Sequence, residues 1–521
     1  MKRCLLPTLA VLLVMGRLDV SCAEVRLAPC FGSNMVLQRD VPARVGGRAD
    51  VGAEITVEFA GQKKTAKADQ DSQWLVTLDP MPANSTPQVM TVTSSIANQK
   101  SEIRNILLGD VWVCSGQSNM RMTVLKGPWC TYGGVQNGEQ EAAAANYPQI
   151  RLCCGKAGEW LICSPETVKS FSAAGYFFGR ELHRRLNVPI GLAEGSQGAT
   201  DAESWTPPAA IPGFPETLAK AQPVLRELKP LGDADRDAFV KWAADVREAQ
   251  KAGRQPPPRP VDRLTAEQKK HLEAASLVAG TGHCYETRIV RFTSMTIKGV
   301  IWYQGESNRP RADKYAELMT RLIGGWRKAW GDDFPFLSMQ LVNFGAGPSQ
   351  PQSGFAELRA AQQKVADTVL KAGLAVGIDI GLPGEIHPPN KQEVGRRLAL
   401  VALKQVYGHD VIASGPKVKD AKFVGDKVVL SFDPGGRGQS LVLRSGAASG
   451  FELAGADGKF IPAAAELQGA QVNLTAPGVK QPCAVRYAWY DNPAATLFNS
   501  DGLPAFPFRM DEFSGLSEKN K

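Results

Sequence analysis

The stretch Val111-Trp112-Val113-Cys114-Ser115-Gly116-Gln117-Ser118-Asn119-Met120 decides how the rest of the chain is read. The apolar run 106–114 has the length and composition of a strand buried on both faces, and it gives way at once to Ser, Gly, Gln, Ser and Asn. Loops at the ends of such strands are where a rigid scaffold presents reactive groups. A plain surface turn accounts for the same composition. A nucleophilic Ser118 accounts for it as well, but that reading requires a base, an oxyanion site and a matching fold elsewhere.

The surrounding pattern supplies the fold. Between residues 105 and 414, apolar runs at 188–193, 298–303, 336–342 and 374–380 alternate with helical segments. Ala174, Phe177, Phe178 and Leu182 fall at helical spacing, and 315–330 and 355–370 read the same way. The alternation predicts an α/β domain with a mostly parallel sheet and helices on both faces. On either side, residues 24–104 and 415–521 alternate apolar and polar positions in short runs, as in Ile55-Thr56-Val57-Glu58-Phe59 and Lys427-Val428-Val429-Leu430-Ser431-Phe432. These predict N-terminal and C-terminal β domains. Residues 206–282 are Pro-rich at both ends and charged within, which predicts a helical insertion that either decorates the surface or covers a substrate cleft.

Residues 1–23 have the form of an export signal: Lys2 and Arg3, an apolar core over 4–15, then Ser21-Cys22-Ala23 as a cleavage site. Asp19 and Val20 suit lipidation at Cys22 poorly. The core is too short to span a bilayer, and no later stretch is apolar enough to do so. The expected location is periplasmic or extracellular. Three basic residues and one acidic residue leave with the leader, taking the formal charge from +8 to +6. That mild excess, without a basic block interleaved with aromatics, argues against nucleic acid as a partner. Eight cysteines remain beyond the leader. An exported chain permits disulfides, and Cys130 with Cys163, Cys153 or Cys154 is a candidate local bridge, whereas Cys114 reads as a small buried residue. No CxxC pair supports a cysteine zinc site, and no cofactor or metal is expected.

Of the five histidines, His387 stands apart. It follows the run 374–380 and precedes Asn390 and Glu393, which read as a capping box opening a helix whose buried face is Val394, Leu398 and Val401. This puts His387 on the loop edge that Ser118 should also occupy, beside a helix N-terminus that disfavours imidazolium. A structural loop histidine would look the same. Two further segments point to that edge: Gly195-Ser196-Gln197-Gly198-Ala199-Thr200 and Gln304-Gly305-Glu306-Ser307-Asn308. Glycine lets a backbone amide approach an oxyanion, and Asn or Gln adds a side-chain donor.

Gly116-Gln117-Ser118-Asn119-Met120, Ile301-Trp302-Tyr303-Gln304-Gly305-Glu306-Ser307-Asn308 and His387-Pro388-x-Asn390-Lys391 together resemble the sialate O-acetylesterase family, within the SGNH hydrolases. The likeness extends to both β domains, through 34–39, 450–454 and 485–489. It implies an SGNH-hydrolase-like parallel sheet flanked by two β lobes. It also implies a serine ester hydrolase that removes O-acetyl groups from a sugar or glycan through an acetyl-serine intermediate, without a cofactor. Ser118 would be the nucleophile and His387 the general base. The amides of Ser118 and Gly198, with Gln304 or Asn308 and the adjoining Gly305, would form the oxyanion and substrate-binding site. Two departures stand out. Ala199 replaces the second of two usual glycines, and the residue two before the histidine is Glu385 rather than aspartate. Glu385, Asp379, or a dyad using a backbone carbonyl all remain open for the acid. Acetyl-xylan or another polysaccharide is an alternative substrate, and a non-catalytic glycan-binding protein on an esterase scaffold is a rival of another class.

Overall fold

The computed structural model describes residues 25–511 and 513, apart from 97–98, 129, 155–157, 346–352 and 445–449; the expected leader over 1–23 lies outside the described residues. Seven strands form the spine of the molecule: β1 (Lys100–Gly116), β2 (Tyr147–Cys154), β3 (Glu159–Cys163), β4 (Ile190–Glu194), β5 (Gly299–Tyr303), β6 (Phe336–Met339) and β7 (Ala372–Ala375). They stand in the order β3-β2-β4-β1-β5-β6-β7. All neighbours in this row are parallel except the edge pair β3–β2. Glu194 pairs with Cys114 and Tyr303 with Gly116, so the loops leaving β4, β1 and β5 start side by side on one edge.

β1 is longer than the run 106–114 suggests. Its first half pairs antiparallel with Asn84–Ser94, and its second half lies between β4 and β5. The expected border between residues 104 and 105 therefore falls inside one continuous strand, and the N-terminal β region and the α/β region share an eleven-stranded sheet.

Among the described residues the α-helices are α1 (Ser118–Arg121), α2 (Ala173–Leu186), α3 (Phe214–Lys251), α4 (Ala266–Ala279), α5 (Ala312–Trp330), α6 (Gly354–Thr368) and α7 (Lys391–Gln405), besides a short one over Gly138–Ala143. Strand register shows how they cover the sheet. Trp302 pairs with Ser115, which alternates in face with Trp112. Trp112 meets Phe178 of α2 edge-on at 5.0 Å, while Trp302 meets Trp326 of α5 at 6.0 Å. The two faces of the sheet are thus filled by different helices. The insertion forms the paired helices α3 and α4, with a closed capping box at Thr265 and Gln268 and with Asp235 accepting from the amides of Arg263 and Leu264.

β7 ends at Ala375, well before the predicted Ile380. Two of the apolar residues beyond it, Val376 and Ile378, are buried against another partner. Leu374, Val376 and Ile378 join a second core with Val428, Leu430, Leu453, Val472, Leu474 and Val485 of the C-terminal sheets. These sheets are built on Lys427–Asp433 with Gln471–Thr475, and on Phe451–Ala454 with Ala484–Tyr487. The molecule is therefore mixed α/β with a large mixed sheet and additional β sheets. The local bridge expected at Cys130 is not formed: Cys130, Cys153, Cys154 and Cys163 are all free thiols. All but Cys154 are buried, and Cys153 and Cys163 sit in the main hydrophobic core.

One arginine clamps the C-terminal region to the rest. Arg359 of α6 is fully buried and donates to the carbonyls of Leu341 (2.8 Å), Val342 (2.7 Å), Tyr490 (2.7 Å) and Asp491 (2.9 Å). An Arg359→Met substitution removes every one of these donors. It should lower the unfolding free energy by about 3 kcal/mol or more, read from chemical denaturation.

Candidate active site

The turn that carries Ser118 exists because Gly116 has no side chain. Its φ is +134°, and a Cβ there would lie 2.2 Å from the carbonyl oxygen of Tyr303. The close approach lets the Gln117 amide donate to Tyr303 O at 3.0 Å, while Gly116 O accepts from the Gln197 amide at 3.0 Å. Gln117 Oε1 in turn accepts from the Gly305 amide at 3.2 Å. The loops after β1, β4 and β5 are thereby bonded to one another before Ser118 begins the single turn of α1.

Asn119 carries the connection further. It is completely buried. Its Nδ2 donates to the carbonyl of Ile386 at 2.9 Å and to Glu306 Oε1 at 2.5 Å, and its Oδ1 accepts from Lys391 Nζ at 2.8 Å. Ile386 directly precedes His387. The residue after Ser118 is thus hydrogen-bonded to the residue before His387, across 267 positions of chain. His387 stacks on Tyr132 with ring centroids 4.4 Å apart and planes 19° from parallel. The Tyr132 hydroxyl lies 3.1 Å from the point a Cβ on Gly198 would occupy, and that point is 3.7 Å from Ser118 Cβ. Ser118, Gly198, Tyr132 and His387 therefore form one cluster.

The imidazole is held below its ordinary pKa of 6.5, first by burial and then by the Lys391 charge, with Glu385 opposing. Asn390 caps α7 by accepting from the Glu393 amide at 3.2 Å. The predicted box is only half made, because the Glu393 carboxylate turns to Arg396 and Arg397 instead. Two candidate acids also part company here. Asp379 is bound by both terminal nitrogens of Arg397, at 2.6 and 2.9 Å. Glu385 Oε1 accepts from the His387 amide at 2.8 Å and lies 3.7 Å from Nδ1. Of these two carboxylates, Glu385 is the one beside the ring.

The residues expected to stabilise an oxyanion do not behave alike. Gly198 abuts Ser118. Gln304 is fully buried, and its Nε2 donates to Thr200 O at 3.1 Å and Asn308 Oδ1 at 2.7 Å. Asn308, also buried, donates to Glu203 Oε2 at 2.8 Å and accepts from the Ala202 amide at 2.8 Å. The Gly305 amide is taken by Gln117. These three residues tie the loop after β5 to its neighbours, and the side chains of Gln304 and Asn308 are buried beneath the site. Ala199 adopts φ +55°, the left-handed conformation that glycine tolerates best.

Sequence reasoning missed Tyr132 and left Asn119, Glu306 and Lys391 without roles. Tyr132 belongs to no motif, and only the fold brings it to His387. Lys391 did carry a signal, since a cation at the first position of a helix opposes the macrodipole.

A family described as carbohydrate esterase, sialic acid-specific acetylesterase, matches residues 271–404. Rat sialate O-acetylesterase is 28% identical over 96% of this chain and 97% of its own length. The human sialate O-acetylesterase is 27% identical over 78% and 76%. The crystal structure of a carbohydrate acetylesterase from Xanthomonas citri is 34% identical and superposes with a TM-score of 0.74, covering 94% of this chain and all of that one. The chain belongs to the sialate O-acetylesterase family. It is a serine ester hydrolase, which sets aside the non-catalytic glycan-binding reading. Within the family fold, Ala199 remains a strained position. Ala199→Gly should therefore raise stability by about 0.5–1 kcal/mol, seen as a higher denaturation midpoint.

Proposed function

We propose that this protein is an exported carbohydrate O-acetylesterase with an SGNH-hydrolase-like catalytic domain, that Ser118 is its nucleophile and that His387 is its general base. The observation that carries this reading is the Asn119–Ile386 hydrogen bond, which holds the two loops together at one sheet edge. His387 accepts the Ser118 hydroxyl proton as Oγ attacks the ester carbonyl. The first amides of a helical turn have no carbonyl of that turn to donate to, so the Ser118 amide is available to the oxyanion, with the Gly198 amide opposite. Collapse of the tetrahedral intermediate expels the sugar hydroxyl, which takes the proton from His387. Water then hydrolyses acetyl-serine by the same route in reverse. Glu385 stabilises the imidazolium electrostatically from beside the ring. Gln304 and Asn308 act by fixing the loop that supports Gln117 and Gly198.

O-acetylated sialic acid is the leading substrate because the family and the mammalian relatives carry that name. Acetate release from O-acetylated sialic acid should exceed release from acetyl-xylan. The reverse order would point to plant or algal polysaccharide with the same chemistry. Export rests on the leader-like sequence over 1–23, and no described helix is long and apolar enough to cross a membrane.

Ser118→Ala should lower kcat on a simple acetyl ester by about 10⁴-fold or more while the fold persists. Activity near the parental level would remove Ser118 from the mechanism. The base must be neutral to act, and its pKa is depressed. kcat/KM should therefore rise with pH through a value below 6.5 and be flat at neutral pH. Glu385→Gln deletes the charge that favours imidazolium, so it should move this limb to still lower pH.

A further inference from the structure

Lys391 is the first residue of α7 and is completely buried. Both features are unfavourable for a cation: the helix N-terminus repels it and the interior desolvates it. An apolar side chain would fill the same space without either cost. What the ammonium touches gives it a role. Nζ donates to Asn119 Oδ1 at 2.8 Å and to Pro388 O at 2.8 Å. Asn119 follows Ser118 and Pro388 follows His387, so a single amino group grips the chain immediately beyond each of the two residues. Asn119 completes the frame by donating to Ile386 O and to Glu306. The other Glu306 oxygen, Oε2, is buried without a hydrogen-bond partner among the described residues. Burial raises the Glu306 carboxyl pKa and brings the Lys391 ammonium down to about 7. The charged groups facing Lys391 are Glu306 and Glu385, and its Nζ also sits 5.6 Å from the centre of the Tyr303 ring. Those facing His387 are Lys391 and Glu385, with Tyr132 stacked on its ring.

We propose that Lys391 and Glu306, bridged by the Asn119 amide, form a buried charged unit that positions Ser118 against His387 and sets the Lys391 ammonium beside the imidazole. The proposal rests on the assignment of Ser118 and His387 above. Lys391 and Glu306 are positioning residues: they act through Asn119, Ile386 and Pro388 rather than on the substrate. The two carboxylates around the site then have opposed tasks. Glu306 balances the buried ammonium, and Glu385 favours the imidazolium when the proton moves.

The test replaces the unit by a neutral one, Lys391→Met with Glu306→Gln, and reads kcat, KM and the NMR titration of the His387 imidazole. The titration is repeated in a Ser118→Ala background, so it is independent of turnover and of the nucleophile assignment. Displacing the reacting groups should lower kcat by about 100-fold with KM little changed. Loss of the neighbouring cation should move the His387 pKa upward. A purely structural role would lower stability without moving that titration. A folded double variant with kcat within about threefold of the parent and an unchanged imidazole titration overturns the proposal. Should the double variant fail to fold, the Lys391 side chain is titrated directly in the Ser118→Ala protein, where the parental unit is intact. A Lys391 ammonium that stays protonated across the His387 titration supports the buried charged unit, and an amine already neutral in that range overturns it.

Discussion

The buried amide of Asn119 is the constraint on which the site depends. It takes hydrogen bonds from or gives them to Lys391, Glu306 and Ile386, three residues that belong to two distant stretches of chain. Desolvated polar groups of this kind are costly when unpaired, so the arrangement is all-or-none: each partner is held because the others are in place. The outcome is that the chain next to Ser118 and the chain next to His387 are held in register by the residues beside them. Neither the Ser118 nor the His387 side chain has to supply the binding energy that places it.

The scaffold makes that constraint possible. Parallel pairing of β1 with β4 and β5 starts three polar loops at one edge, and Gly116 lets the first of them lie directly on the carbonyl of Tyr303. Gln117, Gln304 and Asn308 then bond the loops to one another. This explains why a motif rich in Asn and Gln need not place every amide on the substrate. Beneath a reactive surface, such side chains are also the shortest way to satisfy backbone groups that irregular loops leave without partners. Ala199, held in the left-handed region, lies directly after Gly198, where the chain passes Ser118.

Much of this was legible in the chain. Period and run length gave the alternating strands and helices between 105 and 414 and the β pattern on both sides, because burial on two faces or one leaves a direct trace in side-chain polarity. The motifs around Ser118, Gln304 and His387 pointed to one edge because parallel strands share their direction. Three readings departed from the structure for identifiable reasons. Val376 and Ile378 are apolar because they face the C-terminal core rather than continue β7. Glu393 prefers two arginines to its own helix terminus. Cys130 remains a buried thiol instead of bridging to a neighbour.

By itself the sequence determined the element types, the order of the motifs and the identity of the nucleophile and base candidates, since these follow from local composition and spacing. Only the tertiary structure decided which carboxylate stands beside His387, that Tyr132 stacks on it, and that Lys391 and Glu306 meet through Asn119. Those outcomes depend on which buried polar groups find partners across hundreds of residues, and pairing of that kind leaves no periodic trace in the chain.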